Sequence, residues 1–248
     1  MTEPLLSLKN VNSYYGESHI LHDISFEVYP GEIVGVLGRN GVGKTTTLQT
    51  ILGVPVPRNG EIRLRGELLS GKSTSEIVRH GIGWVPQGHR IFPTLSVVEN
   101  LELAAARARR GAWTLTKIYE RFPRLHSRRT ARGDALSGGE QQMLAIARAL
   151  IQNPDVFLMD EPSEGLSPLI VQEVGSLIRE LNAHGVSILL VEQNLTFALS
   201  VASRILIMNK GAIVYFGTPA EIEANPDITH NFLGMGMAAP RNAKRPAI

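Results

Sequence analysis

Short apolar runs alternate with longer segments of helical period along this chain. The runs Leu6–Val11, Ile24–Val28, Ile33–Leu37, Ile82–Val85, Val156–Met159, Ser187–Val191 and Arg204–Met208 predict strands. Helix-length segments lie between several of them. In Pro168–His184, the residues Leu169, Ile170, Val174, Leu177, Ile178 and Leu181 fall on one helical face, with polar residues opposite. Pro168 suits a first helical turn and Gly185 suits the stop. Buried strands alternating with amphipathic helices predict an α/β fold with a largely parallel central sheet.

The two ends of the pattern differ from its centre. Near the N-terminus strands follow one another without helices, which predicts an antiparallel sheet. Asn209-Lys210-Gly211, between Ile205–Met208 and Ala212–Phe216, reads as a hairpin turn. Leu95–Arg132 is helix-forming and arginine-rich and predicts an inserted helical subdomain, extending with the helix that follows over about 95–153. Neither a repeat nor a linker divides the chain, so residues 1–237 are expected to form one domain. The tail 238–248 has two prolines, three basic residues and no apolar period, and predicts disorder.

Composition narrows the function more than the fold. A formal charge of +2 over 248 residues carries no broad polyanion-binding signal, so nucleic acid is not an expected partner. The chain has no cysteine, which excludes disulfides, zinc thiolates and a thiol nucleophile. Met1–Asn10 lacks the basic and apolar regions of a signal peptide. The longest apolar runs fall far below the roughly 18 residues a membrane span needs. A soluble, cytoplasmic protein is expected, with any membrane role exerted through a partner.

Two segments carry the chemistry. Gly38-Arg39-Asn40-Gly41-Val42-Gly43-Lys44-Thr45 matches the phosphate-loop pattern at every fixed position, fed by the strand Ile33–Leu37 and left by a helix predicted over Thr46–Leu52. Glycines let successive backbone N–H groups converge on phosphate oxygens at the positive end of a helix. Lys44 then reaches the β- and γ-phosphates of ATP, and the Thr45 hydroxyl takes a place on Mg²⁺. The second segment is the strand Val156–Met159, which ends in Asp160 and Glu161. Carboxylates next to a buried strand need a cation or hydrogen bonds to compensate them. Asp160 is assigned to the Mg²⁺ shell, and Glu161 to polarising the attacking water as general base.

A third motif, Leu136-Ser137-Gly138-Gly139-Glu140-Gln141-Gln142, precedes a helix predicted over Gln141–Gln152 and ended by Asn153-Pro154. Ser137 and Glu140 form a capping-box pattern. A cap does not need two glycines, which cost helix stability; they bare backbone N–H groups as an anion site. With this motif the chain, from about Leu5 to Glu223, resembles the ATP-binding cassette family. The resemblance implies a dimer of cassettes in which Ser137, Gly138, Gly139 and Glu140 contact the ATP held by the opposite subunit. It implies that Tyr15 stacks on adenine and that Thr46 joins residues 38–45 in the ATP site. It also implies that Gln87 reaches Mg²⁺ through its amide oxygen, and that Ile91–Val97 opens the region that receives the membrane subunit.

The chain departs from the family pattern twice. Gln193 stands where most cassettes carry a switch histidine; it can donate to a γ-phosphate oxygen but cannot become cationic near neutral pH. Ser167 stands where the family usually has aspartate. Together they imply a second cassette that is a different chain. Val191-Glu192-Gln193-Asn194, Phe122-Pro123-Arg124-Leu125 and the helix after Ser137 resemble one cassette of branched-chain amino-acid importers; urea importers look similar at Gly38–Lys44 and Val85–Gly88. The implied protein is the ATP-hydrolysing motor of an importer, peripheral on the cytoplasmic face of the membrane. Its implied partners are a second cassette, two permeases and, indirectly, a periplasmic binding protein. The alternatives are a urea or amide importer cassette and a soluble cassette ATPase outside transport.

Overall fold

The computed structural model describes residues 3–228; the predicted tail 238–248 lies outside them. The chain opens with β1 (Leu6–Tyr15) and β2 (Ser18–Val28), an antiparallel hairpin longer than the apolar runs predict. Polar residues such as Lys9 and Asn10 sit on its exposed stretches, so apolar content marks only part of each strand. Next come β3 (Ile33–Leu37), α1 (Lys44–Ile51), β4 (Asn59–Leu64), β5 (Glu67–Leu68), α2 (Thr74–Arg79) and β6 (Ile82–Val85). Strands β4 and β5 join the hairpin in a four-stranded antiparallel sheet of order β2-β1-β4-β5.

Between β6 and β7 (Val156–Asp160) lie α3 (Val97–Ala105), α4 (Leu115–Arg121), α5 (Pro123–Ser127) and α6 (Gly138–Leu150). Pro123 occupies the first turn of α5, which is why α4 cannot continue through it. The remainder is α7 (Pro168–Ala183), β8 (Ser187–Glu192), α8 (Leu195–Val201), β9 (Arg204–Asn209), β10 (Ala212–Gly217), α9 (Pro219–Glu223) and α10 (Pro226–Ile228). The second sheet has the order β10-β9-β3-β8-β7-β6, parallel except for β10 against β9. Lys210 and Gly211 turn that last hairpin with φ of 44° and 78°. A side chain at 211 would strike the Ile20 carbonyl, so only glycine fits.

Strand alternation divides the core in two. Ile33, Leu37, Phe157, Met159, Ile188 and Leu190 face the layer of α6, α7 and α8. Val34, Val36, Val156, Leu158, Leu189 and Val191 face α1 and the antiparallel sheet. Both faces of the central sheet are covered, hence its apolar runs without polar alternation. Register then sets the functional edge. Leu37 pairs with Glu192, Asp160 with Val191 and Val85 with Met159, so the loops leaving β3, β8, β7 and β6 emerge side by side.

Candidate functional site

The phosphate loop closes on itself through its glycines. Gly41 and Gly43 take φ of 80° and 109°, and a Cβ on Gly38 would lie 2.6 Å from the Met208 carbonyl. Only glycine holds such conformations at little cost. Helix α1 begins at Lys44, not at the Thr46 expected from sequence, because Gly43 supplies the left-handed turn before it. The first-turn N–H groups of α1 therefore belong to the loop itself.

The Lys44 ammonium is buried and held at three points: 2.9 Å from the Gly38 carbonyl, 3.2 Å from that of Arg39 and 3.0 Å from Glu161 Oε1. Thr45 Oγ1 donates to Asp160 Oδ1 at 3.1 Å. Burial pushes the Asp160 carboxyl up to about 6, with the neighbouring Glu161 charge adding to the rise; the Thr45 hydroxyl and Lys44 oppose it. Glu161 has φ of 47°, which turns the chain sharply as β7 ends and lets consecutive acids face the same loop. Its N–H donates to the Val191 carbonyl at 2.9 Å, pinning the turn to β8.

Tyr15, Ile20, Asn40, Gly41, Gly43, Lys44, Thr45, Thr46, Gln87 and Glu161 line one open cleft of about 350 Å³. Gly38 is buried and Arg39 is exposed, and neither lines the cleft. Tyr15 is half-exposed and donates to Gln49 Oε1 at 2.7 Å, whereas its neighbour Tyr14 stacks on His19 with ring centroids 4.1 Å apart. Strand alternation thus aims one tyrosine at the cleft and the other away. Ile20 was not legible as a site residue; it enters through the β1–β2 hairpin, which brings it opposite the loop.

Gln87 reaches the acids through its amide. Its amide nitrogen, not its oxygen, faces the acids, donating to Glu164 Oε2 at 2.7 Å and to Glu161 Oε2 at 3.4 Å. Glu164 carried no role in the sequence reading, and its contact with Gln87 across the cleft has no sequence signal beyond its nearness to Glu161. Gln193 is exposed directly after β8, at the edge where β3 delivers Gly38.

The Ser137 segment does not join the cleft. Helix α6 begins at Gly138, so both glycines lie in its first turn, not before it. Ser137 Oγ donates to Glu140 Oε2 at 2.9 Å and accepts from the Glu140 N–H at 3.3 Å, while that carboxylate accepts from the Ser137 N–H at 2.8 Å. The capping box is therefore made in full, and it consumes the Glu140 side chain. Gly139 has a packing reason, since a Cβ there would sit 3.1 Å from Ile170; Gly138 has none, with only His89 Nε2 within 4 Å, at 3.9 Å. Among the described residues no helix is long and apolar enough to cross a membrane.

Comparison with known proteins agrees with this geometry. The sequence profile described as ABC transporter matches residues 21–164. The chain is 44% identical to the high-affinity branched-chain amino acid transport ATP-binding protein BraG of Pseudomonas aeruginosa, over 93% of this chain and all of that protein. It is 36% identical to the lipopolysaccharide export system ATP-binding protein LptB of Escherichia coli, over 92% of this chain and 97% of that one. A solved ATP-binding subunit of an ABC transporter superposes with a TM-score of 0.78 at 30% identity, covering 89% of this chain and 92% of that one. The chain belongs to the ABC transporter family, as an ATP-binding and ATP-hydrolysing subunit.

Proposed function

We propose that this subunit drives import of branched-chain or other hydrophobic amino acids, as one cassette of a pair that are not identical. The observation that carries the reading is the full-length similarity to BraG, joined to a phosphate loop, an acid pair and Gln193 that follow neighbouring strands at one edge of the sheet. Lys44, now spent on Gly38, Arg39 and Glu161, exchanges those contacts for β- and γ-phosphate oxygens. That exchange frees Glu161 to accept a proton from the attacking water. Tyr15 stacks on the adenine, and Gln193 donates to the γ-phosphate from the end of β8.

Thr45 and Asp160 fit a magnesium ion. They present a hydroxyl and a carboxylate 3.1 Å apart, with Asp160 buried, and oxygen donors are what such a hard cation takes. Magnesium supplies neutralisation of charge on the phosphate oxygens when bound. For Gln87 to offer its amide oxygen there, its side chain must turn away from Glu164.

The cleft is open and one-sided, which supports completion by the Ser137–Glu140 segment of another cassette. A separate groove of about 1050 Å³ includes Val78, Phe92, Leu103, Arg107 and Arg148, beside the Ile91–Val97 stretch. We assign it to the permease, which would hold the chain peripherally at the cytoplasmic membrane face. The experiment is reconstitution with the permeases, second cassette and periplasmic binding protein of the same system. ATP-dependent uptake of labelled leucine into proteoliposomes is expected. Uptake of urea but not leucine, or ATP hydrolysis without either, overturns the substrate assignment.

A further inference from the structure

Pro162 and Ser163, the two residues after Glu161, are gripped from both sides by buried polar side chains that the steps above do not use. Gln142, in the first half of α6 and 2% exposed, donates from Nε2 to the Pro162 carbonyl at 3.2 Å. Its Oε1 lies 2.6 Å from His89 Nδ1, in the loop that follows Gln87. Glu192, the last residue of β8 and also 2% exposed, comes from the opposite side. Its Oε1 accepts from the Ser163 N–H at 3.0 Å, and its Oε2 accepts from the N–H groups of Gln193 at 3.1 Å and Asn194 at 3.2 Å.

The turn at Gln193–Asn194 alone needs only one acceptor atom. Reaching Ser163 as well requires two acceptor oxygens in a planar fork, which a carboxylate has and no neutral side chain has. A buried carboxylate is costly unless satisfied, and here both oxygens are used. Glu161 itself sits at φ of 47°, a conformation a non-glycine residue keeps only where its surroundings over-determine it. The grip on the next two residues provides that.

We propose that Glu192 and Gln142 are positioning residues for ATP hydrolysis. They clamp the loop that carries Glu161 between the Gln193 turn and helix α6. Because α6 starts with Ser137–Glu140, the clamp also ties the helix that serves the opposite ATP to the base of the chain's own site. The inference rests on the roles given above to Glu161 and Gln193.

Glu192→Gln tests it, since an amide has one oxygen and must turn its NH₂ toward either Ser163 or the Gln193–Asn194 pair. Gln142→Met is the second variant, of similar length and without a hydrogen bond to Pro162. In the full chain assembled with its partners, kcat for ATP should fall roughly 10- to 100-fold in each. KM for ATP and the Kd of a non-hydrolysable ATP analogue should stay at the wild-type values, while the thermal midpoint falls by only a few degrees, since each variant leaves buried groups unpaired. In a Glu161→Gln background neither variant should lower the residual rate further, because the group being positioned is gone. Wild-type kcat in both variants, with Glu161→Gln inactive, overturns the clamp and leaves the site assignment standing. A joint fall in kcat, ATP affinity and thermal midpoint, the last by well over a few degrees, also overturns it, since the two residues then serve stability alone. Normal hydrolysis by Glu161→Gln overturns the site assignment itself.

Discussion

Replacing Gly138 by alanine separates what the fold needs from what a partner needs. Inside the chain the new methyl group meets only His89 Nε2, at 3.9 Å, an ordinary van der Waals distance. Gly138 lies in the first turn of α6 and is not among the glycines with positive φ. Alanine there restricts the unfolded chain and favours the helix, a gain of about 0.4–1 kcal/mol. For a domain of this size that raises the thermal midpoint by about 1–4 °C. Under the proposed trans contact, the same methyl group intrudes where the opposite cassette's ATP meets the helix start. Charge-assisted hydrogen bonds of that kind are worth about 1.5–3 kcal/mol, so ATPase activity of the assembled transporter should fall roughly 10- to 100-fold. Differential scanning calorimetry of the full chain and steady-state phosphate release by the complex are the two assays. A raised midpoint with full activity would refute the trans contact. A lowered midpoint would refute the claim that this glycine has no role within its own chain.

Other substitutions probe single links. Gln193→Ala removes the neutral donor at the end of β8; hydrolysis should slow by about tenfold, the worth of one hydrogen bond to a charged group, and an unchanged rate in the native complex sinks the role. Lys44→Ala removes a buried ammonium from the loop, and titration with a fluorescent ATP analogue should show affinity weakened by at least about tenfold. Phe157 is fully buried on β7 against the helical layer, so Phe157→Ala should cost about 3–5 kcal/mol in urea denaturation. A loss below about 1 kcal/mol there would contradict the packing described for that face.

The chemistry at the sheet edge was legible because it is local in sequence. The phosphate loop, the Asp160–Glu161 pair and the Ser137 capping box each occupy a few consecutive residues, and their spacing alone specifies a backbone geometry. The central sheet was legible because both its faces are covered, which leaves unbroken apolar runs. Strands β4 and β5 were not, since five of their eight residues are exposed, and β4 pairs with β1 while β5 pairs with β4. Helix starts slipped by two or three residues at Lys44 and Gly138, because glycines that look like breakers are in or beside the first turn. Gln142 and Glu192 were invisible as site residues for a different reason. Their partners lie 20 and 29 positions away, and the packing of α6 on the sheet and the register of β7 with β8 bring them together. Glu192 did leave a trace, an acid ending an otherwise apolar strand, the pattern that marked Asp160. Gln87 was anticipated beside the acids, but its hydrogen bond to Glu164 was not.

Glu161 is the proposed base in a site expected to bind ATP without it. Glu161→Gln keeps the shape of the side chain, releases Lys44 from its 3.0 Å ion pair and removes a negative charge from the neighbourhood of the phosphates. In the assembled transporter, equilibrium binding of Mg·ATP should be at least as tight as in the wild type. Single-turnover phosphate release should fall by at least about 100-fold, the range general base catalysis supplies. Release within about tenfold of the wild-type rate, with ATP bound, would contradict the assignment, since no other carboxylate in the cleft was given that role.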